Sequence, residues 1–234
     1  DPVAAGATGR KTNWLVMAAL GLGVVLTAAA AWPAYQYLGG RAPQDAFQFR
    51  VSVVGLSSAD ISISPDGKTM ALVAKPNTTE ASSLFMRPVG EVKFRKVAGT
   101  EDAALPFWSP DSTSVGFVAG GRLKKVNAAS GAPKDIGPAP GFTGGTWSAA
   151  NTILFGSAAG LWRVSAEGGA PEELTKVEKP ETGHFWPCFL PDGTHYLYLS
   201  WSDDAKSRAI MVGSIGSKDR TKLVDAESNV AYSS

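Results

Sequence analysis

Two histidines, one cysteine and a pair of adjacent aspartates are the side chains of this 234-residue chain with the widest chemical reach. His184 and His195 are its only histidines and Cys188 its only cysteine. His184 and Cys188 stand four residues apart in the run His184-Phe185-Trp186-Pro187-Cys188-Phe189. Strand alternation predicts both on one side of a sheet. A zinc-type site needs further ligands, and the neighbouring sequence offers no third. His195 follows the turn residues Asp192 and Gly193. Packing or surface roles are expected for both histidines, with no metal and no cofactor. Asp203 and Asp204 share a polar segment with Lys206 and Arg208. Acid–base catalysis by two carboxylates needs defined geometry and separated pKa values, and adjacent acids in a loop read instead as a solvated tip. No Gly-x-Ser-x-Gly elbow occurs, which excludes that form of hydrolase nucleophile. Asn77-Thr78-Thr79 fits a glycosylation sequon. The basic stretches Lys124-Lys125 and Lys93 to Lys96 read as solvent faces of strands rather than a nucleic-acid groove. No catalytic residue is predicted.

The elements that would carry these side chains announce themselves by repetition. Ser64-Pro65-Asp66-Gly67 recurs in degenerate form as Ser109-Pro110-Asp111-Ser112, Ser148-Ala149-Ala150-Asn151 and Leu190-Pro191-Asp192-Gly193. The starts are 45, 39 and 42 residues apart. A period near forty with strand patterning predicts propeller blades. Pro presets φ, Asp bonds nearby amides and Gly takes positive φ, so each copy is a turn. Strands are expected at 61–63, 70–74, 84–88 and 93–97; at 106–108, 115–119, 123–127 and 134–136; at 145–147, 153–156, 161–165 and 172–174; and at 184–189, 196–200, 209–213 and 222–224. Gly131 and Gly168-Gly169 are expected in tight turns between the last two strands of their units. Trp108, Trp147 and Phe189, just before the turns, are expected to pack between units.

Ahead of the repeats lies a different segment. Residues 12–40 carry no charge. A helix of about 20 apolar residues spans a bilayer core, and a soluble helix of this length would show a polar face. Trp14 and Trp32 would stand roughly 27 Å apart along a helix axis, and Tyr35 and Tyr37 extend the second interfacial belt. Ala19, Gly23, Thr27 and Ala31 recur every four residues, a spacing that lets another membrane helix approach closely. Residues 1–11 then form a cytoplasmic tail, because Arg10 and Lys11 abut the span without a nearby acid. Residues 41–50 form a linker and residues 51–234 the repeats, on the exported side of a bacterial inner membrane. The chain opens on Asp1 rather than Met, so it is processed or belongs to something longer.

Composition agrees. The net charge is +1, which gives no global field toward nucleic acid. Charged residues make up 18%, against about 25% in an average domain, and the charge-free segment supplies part of the deficit. One cysteine rules out an intrachain disulfide.

The strings at 63–74 (ISPDGKTMALVA), 107–118 (FWSPDSTSVGFV), 160–175 (GLWRVSAEGGAPEELT) and 184–200 (HFWPCFLPDGTHYLYLS) resemble TolB-like, WD-type β-propeller repeats of bacterial exported proteins. The order of one transmembrane helix followed by such repeats is similar to the C-terminal region of bacterial membrane serine/threonine kinases. The resemblance implies an all-β, partial β-propeller of about four blades, with docking or sensing duties. It supplies no catalytic residue, since no Gly-rich nucleotide loop, His-Arg-Asp or Asp-Phe-Gly string is present. TolB-like propellers have about six or more blades. Either the chain continues past Ser234 or a partner covers the open side. Two functions follow as expectations. The chain is a non-enzymatic accessory or stabilising subunit of a larger bacterial membrane complex, of the energy-transducing kind (respiratory or photosynthetic), bound to an integral membrane partner and the lipid bilayer. Alternatively it is the anchor and extracytoplasmic sensor of a kinase whose catalytic domain precedes Asp1. Neither involves nucleic acid.

Overall fold

The computed structural model describes residues 60–77 and 79–230. The apolar span 12–40, its small face at Ala19, Gly23, Thr27 and Ala31, its belts at Trp14, Trp32, Tyr35 and Tyr37, and Thr78 of the sequon lie outside the described residues. Among the described residues no helix is long and apolar enough to cross a membrane.

The described chain is built from antiparallel strands in four consecutive groups of four. The first group is β1 (Asp60–Ile63), β2 (Thr69–Ala74), β3 (Ser83–Pro88) and β4 (Arg95–Lys96). The second is β5 (Ala104–Trp108), β6 (Ser114–Ala119), β7 (Arg122–Asn127) and β8 (Lys134–Pro138). The third is β9 (Gly145–Trp147), β10 (Thr152–Ser157), β11 (Gly160–Ser165) and β12 (Glu172–Glu173). The fourth is β13 (Gly183–Phe189), β14 (His195–Trp201), β15 (Ala209–Ser214) and β16 (Arg220–Asp225). Within each group every strand pairs with the one before it. A single bridge, Ser157 to His184, joins the third and fourth sheets. The first strands β1, β5, β9 and β13 are neighbours in turn, so the sheets are arranged side by side about a common inner edge. This is a β-propeller with four blades described, and each expected strand is present with shifts of a residue or two at its ends.

Stacking follows from alternation. On each second strand, the first and third residues after the opening one face the preceding blade, and the residues between face the next. Val115 and Phe117 pack on Ala71, Val73, Leu84 and Met86 of the first blade, all buried. Ile153 and Phe155 pack with Phe107 and Leu123 of the second. Tyr196 and Tyr198 pack with Leu154 and Leu161 of the third. A sheet with two apolar faces exposes both until neighbours cover them, so the contacts between blades constitute the core. Trp108, Trp147 and Phe189 sit in these three seams as expected.

The turns show why the motif repeats. Ser64 Oγ donates to Asp66 Oδ1 at 2.6 Å and accepts the Thr69 amide at 2.9 Å, and Asp66 Oδ1 accepts the Lys68 amide at 3.0 Å. Ser109, Asp111, Thr113 and Ser114 repeat the pattern. In the fourth blade Leu190 has no hydroxyl, and Asp192 Oδ1 takes over, accepting both the Thr194 and His195 amides at 2.8 Å. The third turn closes on Thr152, four residues after Ser148 instead of five, and its Ser148 Oγ contact to the Thr152 amide stretches to 3.4 Å. Gly67, Ser112, Asn151 and Gly193 share the left-handed position of the turn, with φ between 62° and 71°.

One turn expectation is corrected. Gly131 and Gly168-Gly169 have positive φ, but they lie in long connections between β7 and β8 and between β11 and β12. Tight two-residue hairpins lie instead between the second and third strands, at Ala158-Ala159 and at Gly120-Gly121, where both residues have positive φ as a type I′ turn requires.

Candidate functional site

The innermost strands carry a shared irregularity. Four residues before each of the last three turns, Leu105 (φ 51°), Gly144 (φ 137°) and Trp186 (φ 48°) have positive φ. Pairing shifts at this point on β5 and β13, so each strand holds a β-bulge there. Bulges re-aim side chains and are enriched near binding surfaces. Trp186 is 37% exposed, and a Cβ added at Gly144 would meet its ring at 2.8 Å. Gly144 thus makes the room in which the indole lies.

The bulge also corrects the expected pairing of His184 with Cys188. His184 pairs with Ser200 and Cys188 with Leu197. Those partners are three residues apart on a regular strand, so His184 and Cys188 face opposite sides of the sheet. Simple alternation fails because one extra residue is inserted between them.

His184 is fully buried and organises a polar cluster at the seam of the third and fourth blades. Its Nδ1 lies 2.7 Å from Thr175 Oγ1, and its Nε2 lies 3.1 Å from Glu181 Oε2. Thr175 Oγ1 accepts the Leu161 amide at 2.9 Å, which leaves its proton for Nδ1. With the Thr175 proton donated to Nδ1 the imidazole proton falls on Nε2, toward Glu181; in the other tautomer Nδ1–H donates to Thr175 Oγ1 and Nε2 accepts from Arg220 Nη1. Arg220 Nη1 from β16 donates to both Glu181 oxygens at 3.0 and 2.9 Å, and Ser200 Oγ donates to Oε1 at 2.8 Å. Arg220 Nη1 also stands 3.1 Å from His184 Nε2. Burial pushes the His184 imidazole below its ordinary value. Burial alone would raise Glu181, but the Glu178 amide and the Ser200, Arg220 and His184 side chains outweigh it and hold the carboxyl low. Burial raises Tyr196 to about 12.

A hydroxyl, an imidazole and a carboxylate in line form the connectivity of an activated nucleophile. Here the hydroxyl is committed on both sides, to the Leu161 amide and the His184 ring. Four clefts among the described residues, lined in part by Arg87, Trp147, Arg163 and Lys134, do not include Thr175, His184 or Glu181. The cluster binds the connector 175–183 to its two blades. Sequence reading placed His184 in packing but did not foresee its partners, which come from positions as distant as Arg220. Among the described residues no group of three or more His, Cys, Asp or Glu is placed to hold a metal ion.

The other polar residues remain apart. Asp192 Oδ2 lies 2.6 Å from His195 Nδ1, both half exposed, and hydrogen bonds from the His195 and Thr194 amides and the His195 ring bring Asp192 down to about 2. Asp204 caps a single 3-10 turn, Ala205–Ser207, and Arg208 lies over Trp201 at 3.6 Å. Lys125 pairs with Glu167 at 3.1 Å and lies 5.8 Å from the Trp147 ring. An open cleft of about 680 Å³ lies between the second and third turns and is walled by Trp147, Asn151 and Lys125.

Comparison with known proteins bears on the fold. No family model matches the chain, and no curated protein matches it. Solved structures do. A TolB structure from Agrobacterium tumefaciens superposes with a TM-score of 0.60 at 20% identity, covering 71% of this chain and 64% of that one. TolB from Acinetobacter baumannii gives 0.60 at 15% identity, covering 74% and 45%. The β-propeller domain of the Trilobed protease from Pyrococcus furiosus gives 0.51 at 14% identity, covering 73% and 57%. The chain resembles TolB in fold. It spans less than two thirds of each of these three chains, and at these identities the likeness speaks of architecture alone.

Proposed function

We propose that this chain is a non-enzymatic docking module, tethered by residues 12–40 and presenting its TolB-like propeller to a protein partner on the exported side of a bacterial membrane. In this reading it acts as an accessory or stabilising subunit of a larger membrane complex. The carrying observation is the state of the Thr175–His184–Glu181 chain. It is the one nucleophile-like arrangement described, and its hydroxyl is committed inside the seam. The bulged inner strand supports the same reading, because it spends backbone strain to hold the Trp186 indole in the open. Left-handed backbone at a bulky residue costs about 1–2 kcal/mol, and tryptophan is among the residue types enriched at interaction hot spots. The uncharged span and the Arg10-Lys11 flank support the topology.

Purification of the full chain in mild detergent from its native membrane tests the proposal. A stoichiometric membrane-protein partner is expected to co-elute, to be lost with Trp186→Gly, and to be lost with Val24→Arg in the span. Elution of the intact chain alone overturns it. Protease added to intact spheroplasts is expected to cut the propeller, and protection would reverse the topology. A second reading, the anchor and sensor region of a serine/threonine kinase, is favoured by the helix-then-propeller order. The gene sequence upstream of Asp1 decides between the two.

A further inference from the structure

The cluster around His184 does more than fill a seam. The connector 175–183 has no strand of its own apart from its last residue, Gly183. Its backbone is held by the bonds Thr175 N–H to Leu161, Glu181 N–H to Glu178 and Thr182 N–H to Trp201, and by Ser202 Oγ donating to the Pro180 carbonyl. Residues 178–180 are exposed. A segment with so few backbone bonds opens at low free energy unless side chains fasten it. Two side chains do so: Thr175 at its start, which fastens to the buried imidazole, and Glu181 near its end, which fastens to the imidazole, Ser200 and Arg220.

We propose that Thr175, His184, Glu181 and Arg220 form a proton-sensitive latch that keeps the connector 175–183 closed near neutral pH and releases it on acidification. Full burial and the guanidinium against one edge of the ring disfavour a second positive charge there. With Nδ1 accepting from Thr175, a proton added there displaces the Thr175 hydrogen. The added charge would then lie 3.1 Å from the Arg220 guanidinium on a fully buried ring. The groups facing the ring are Glu181 and Glu178 from the connector, Tyr198 and Ser200 from β14, and Arg220 from β16. Glu181 offsets part of the repulsion, but its carboxylate is already shared between Arg220, Ser200 and the ring. Glu178 is 73% exposed and contributes little. The Tyr198 hydroxyl is buried beside the Arg220 guanidinium, and as a neutral phenol it brings no charge to offset a protonated ring. A ring whose charging is disfavoured when closed, and that is free to protonate when open, makes opening proton-linked. The sign follows from the depressed ring: the closed state loses ground as pH falls below the ordinary histidine value of about 6.5.

Hydrogen exchange read by mass spectrometry on the full chain in mild detergent tests this between pH 7.5 and 5, above the range where the carboxylates protonate. Corrected for intrinsic rates, exchange of peptides covering 175–183 is expected to rise by up to about tenfold per pH unit below pH 6.5, the limit for one proton. Peptides covering β6 are expected to stay protected. His184→Gln supplies an amide oxygen for Thr175 and an amide N–H for Glu181 without a titrating group, and it is expected to abolish the rise. His195→Gln is expected to keep it. A wild-type connector whose protection is independent of pH overturns the latch, as does an undiminished slope in His184→Gln. Ring NMR of the wild type is independent of any variant, because the chain has two histidines. His184 titrating normally while the connector stays protected would also overturn it.

Discussion

Replacing Arg220 with Met tests whether the charge in the blade seam stabilises the fold. Arg220 is 21% exposed at its side chain and Glu181 13%, so this is a largely buried pair and not a surface one. Removing one partner of a fully buried pair costs about 3–5 kcal/mol, because the other charge is left uncompensated. Here Glu181 would keep the Glu178 amide, Ser200 Oγ and the His184 Nε2 proton. The loss should therefore approach that of a charged hydrogen bond, about 1.5–3 kcal/mol, with the exposed contact to Glu178 adding nothing measurable. At about 2 kcal/mol, and about 2–4 °C per kcal/mol for a domain of this size, the melting temperature at pH 7.5 should fall by roughly 4–8 °C. Calorimetry of the full chain in mild detergent reads this directly. The pH dependence separates charge from packing. A carboxylate held low contributes stability above its unfolded value of about 4.5, and that contribution disappears as pH falls through the folded value. The gap between variant and wild type should therefore narrow below pH 4.5. An unchanged melting temperature at pH 7.5, or a gap that persists undiminished at pH 3, refutes the reasoning.

Three further outcomes are expected. Phe117→Ala, at a fully buried position in the seam of the first two blades, should cost about 3–5 kcal/mol in denaturant unfolding; a cost below 1 would mean that the seam is not close-packed. Asn151 has φ 62° and accepts from Trp147 Nε1 at 3.2 Å, so Asn151→Gly should lose about 1 kcal/mol from that bond, and Asn151→Ala roughly 1 more for left-handed backbone. Equal losses for the two variants would remove the backbone from the explanation. Carboxyl NMR of Asp192 should place its midpoint near 2, and His195→Ala, which removes the ring but keeps both amides, should leave it below the ordinary aspartate range; a return to that range would assign the shift to the ring alone.

The degree to which this protein was legible varies by element. The turns were readable because their chemistry is local: Ser, Pro, Asp and Gly each satisfy a bond or a φ within five residues. The third turn was readable as a departure, and the structure adds that it is one residue shorter. The strands and the seam roles of Trp108, Trp147 and Phe189 were readable because a sheet with two buried faces demands apolar residues at every position of its second strand. The bulges at Leu105 and Trp186 were not. Their left-handed conformation sits on residues that normally avoid it, so composition gave no sign, and the predicted sharing of one face by His184 and Cys188 failed for that reason. Asn151 was visible as a remnant of the motif, but its bond to the Trp147 indole was not.

From residue types and spacing alone came the period, the blade count, the turn chemistry and the propeller class, since each depends on contacts within a few residues or on alternation within one strand. The tertiary structure alone decided the constellation around His184. Thr175, Glu181, Ser200 and Arg220 span 46 positions of the chain, and no local rule ties an arginine on one strand to an imidazole three strands away. Burial then determined what they do together. In water these side chains would titrate and exchange partners independently, whereas in the seam Arg220, Ser200 and the His184 ring share one Glu181 carboxylate.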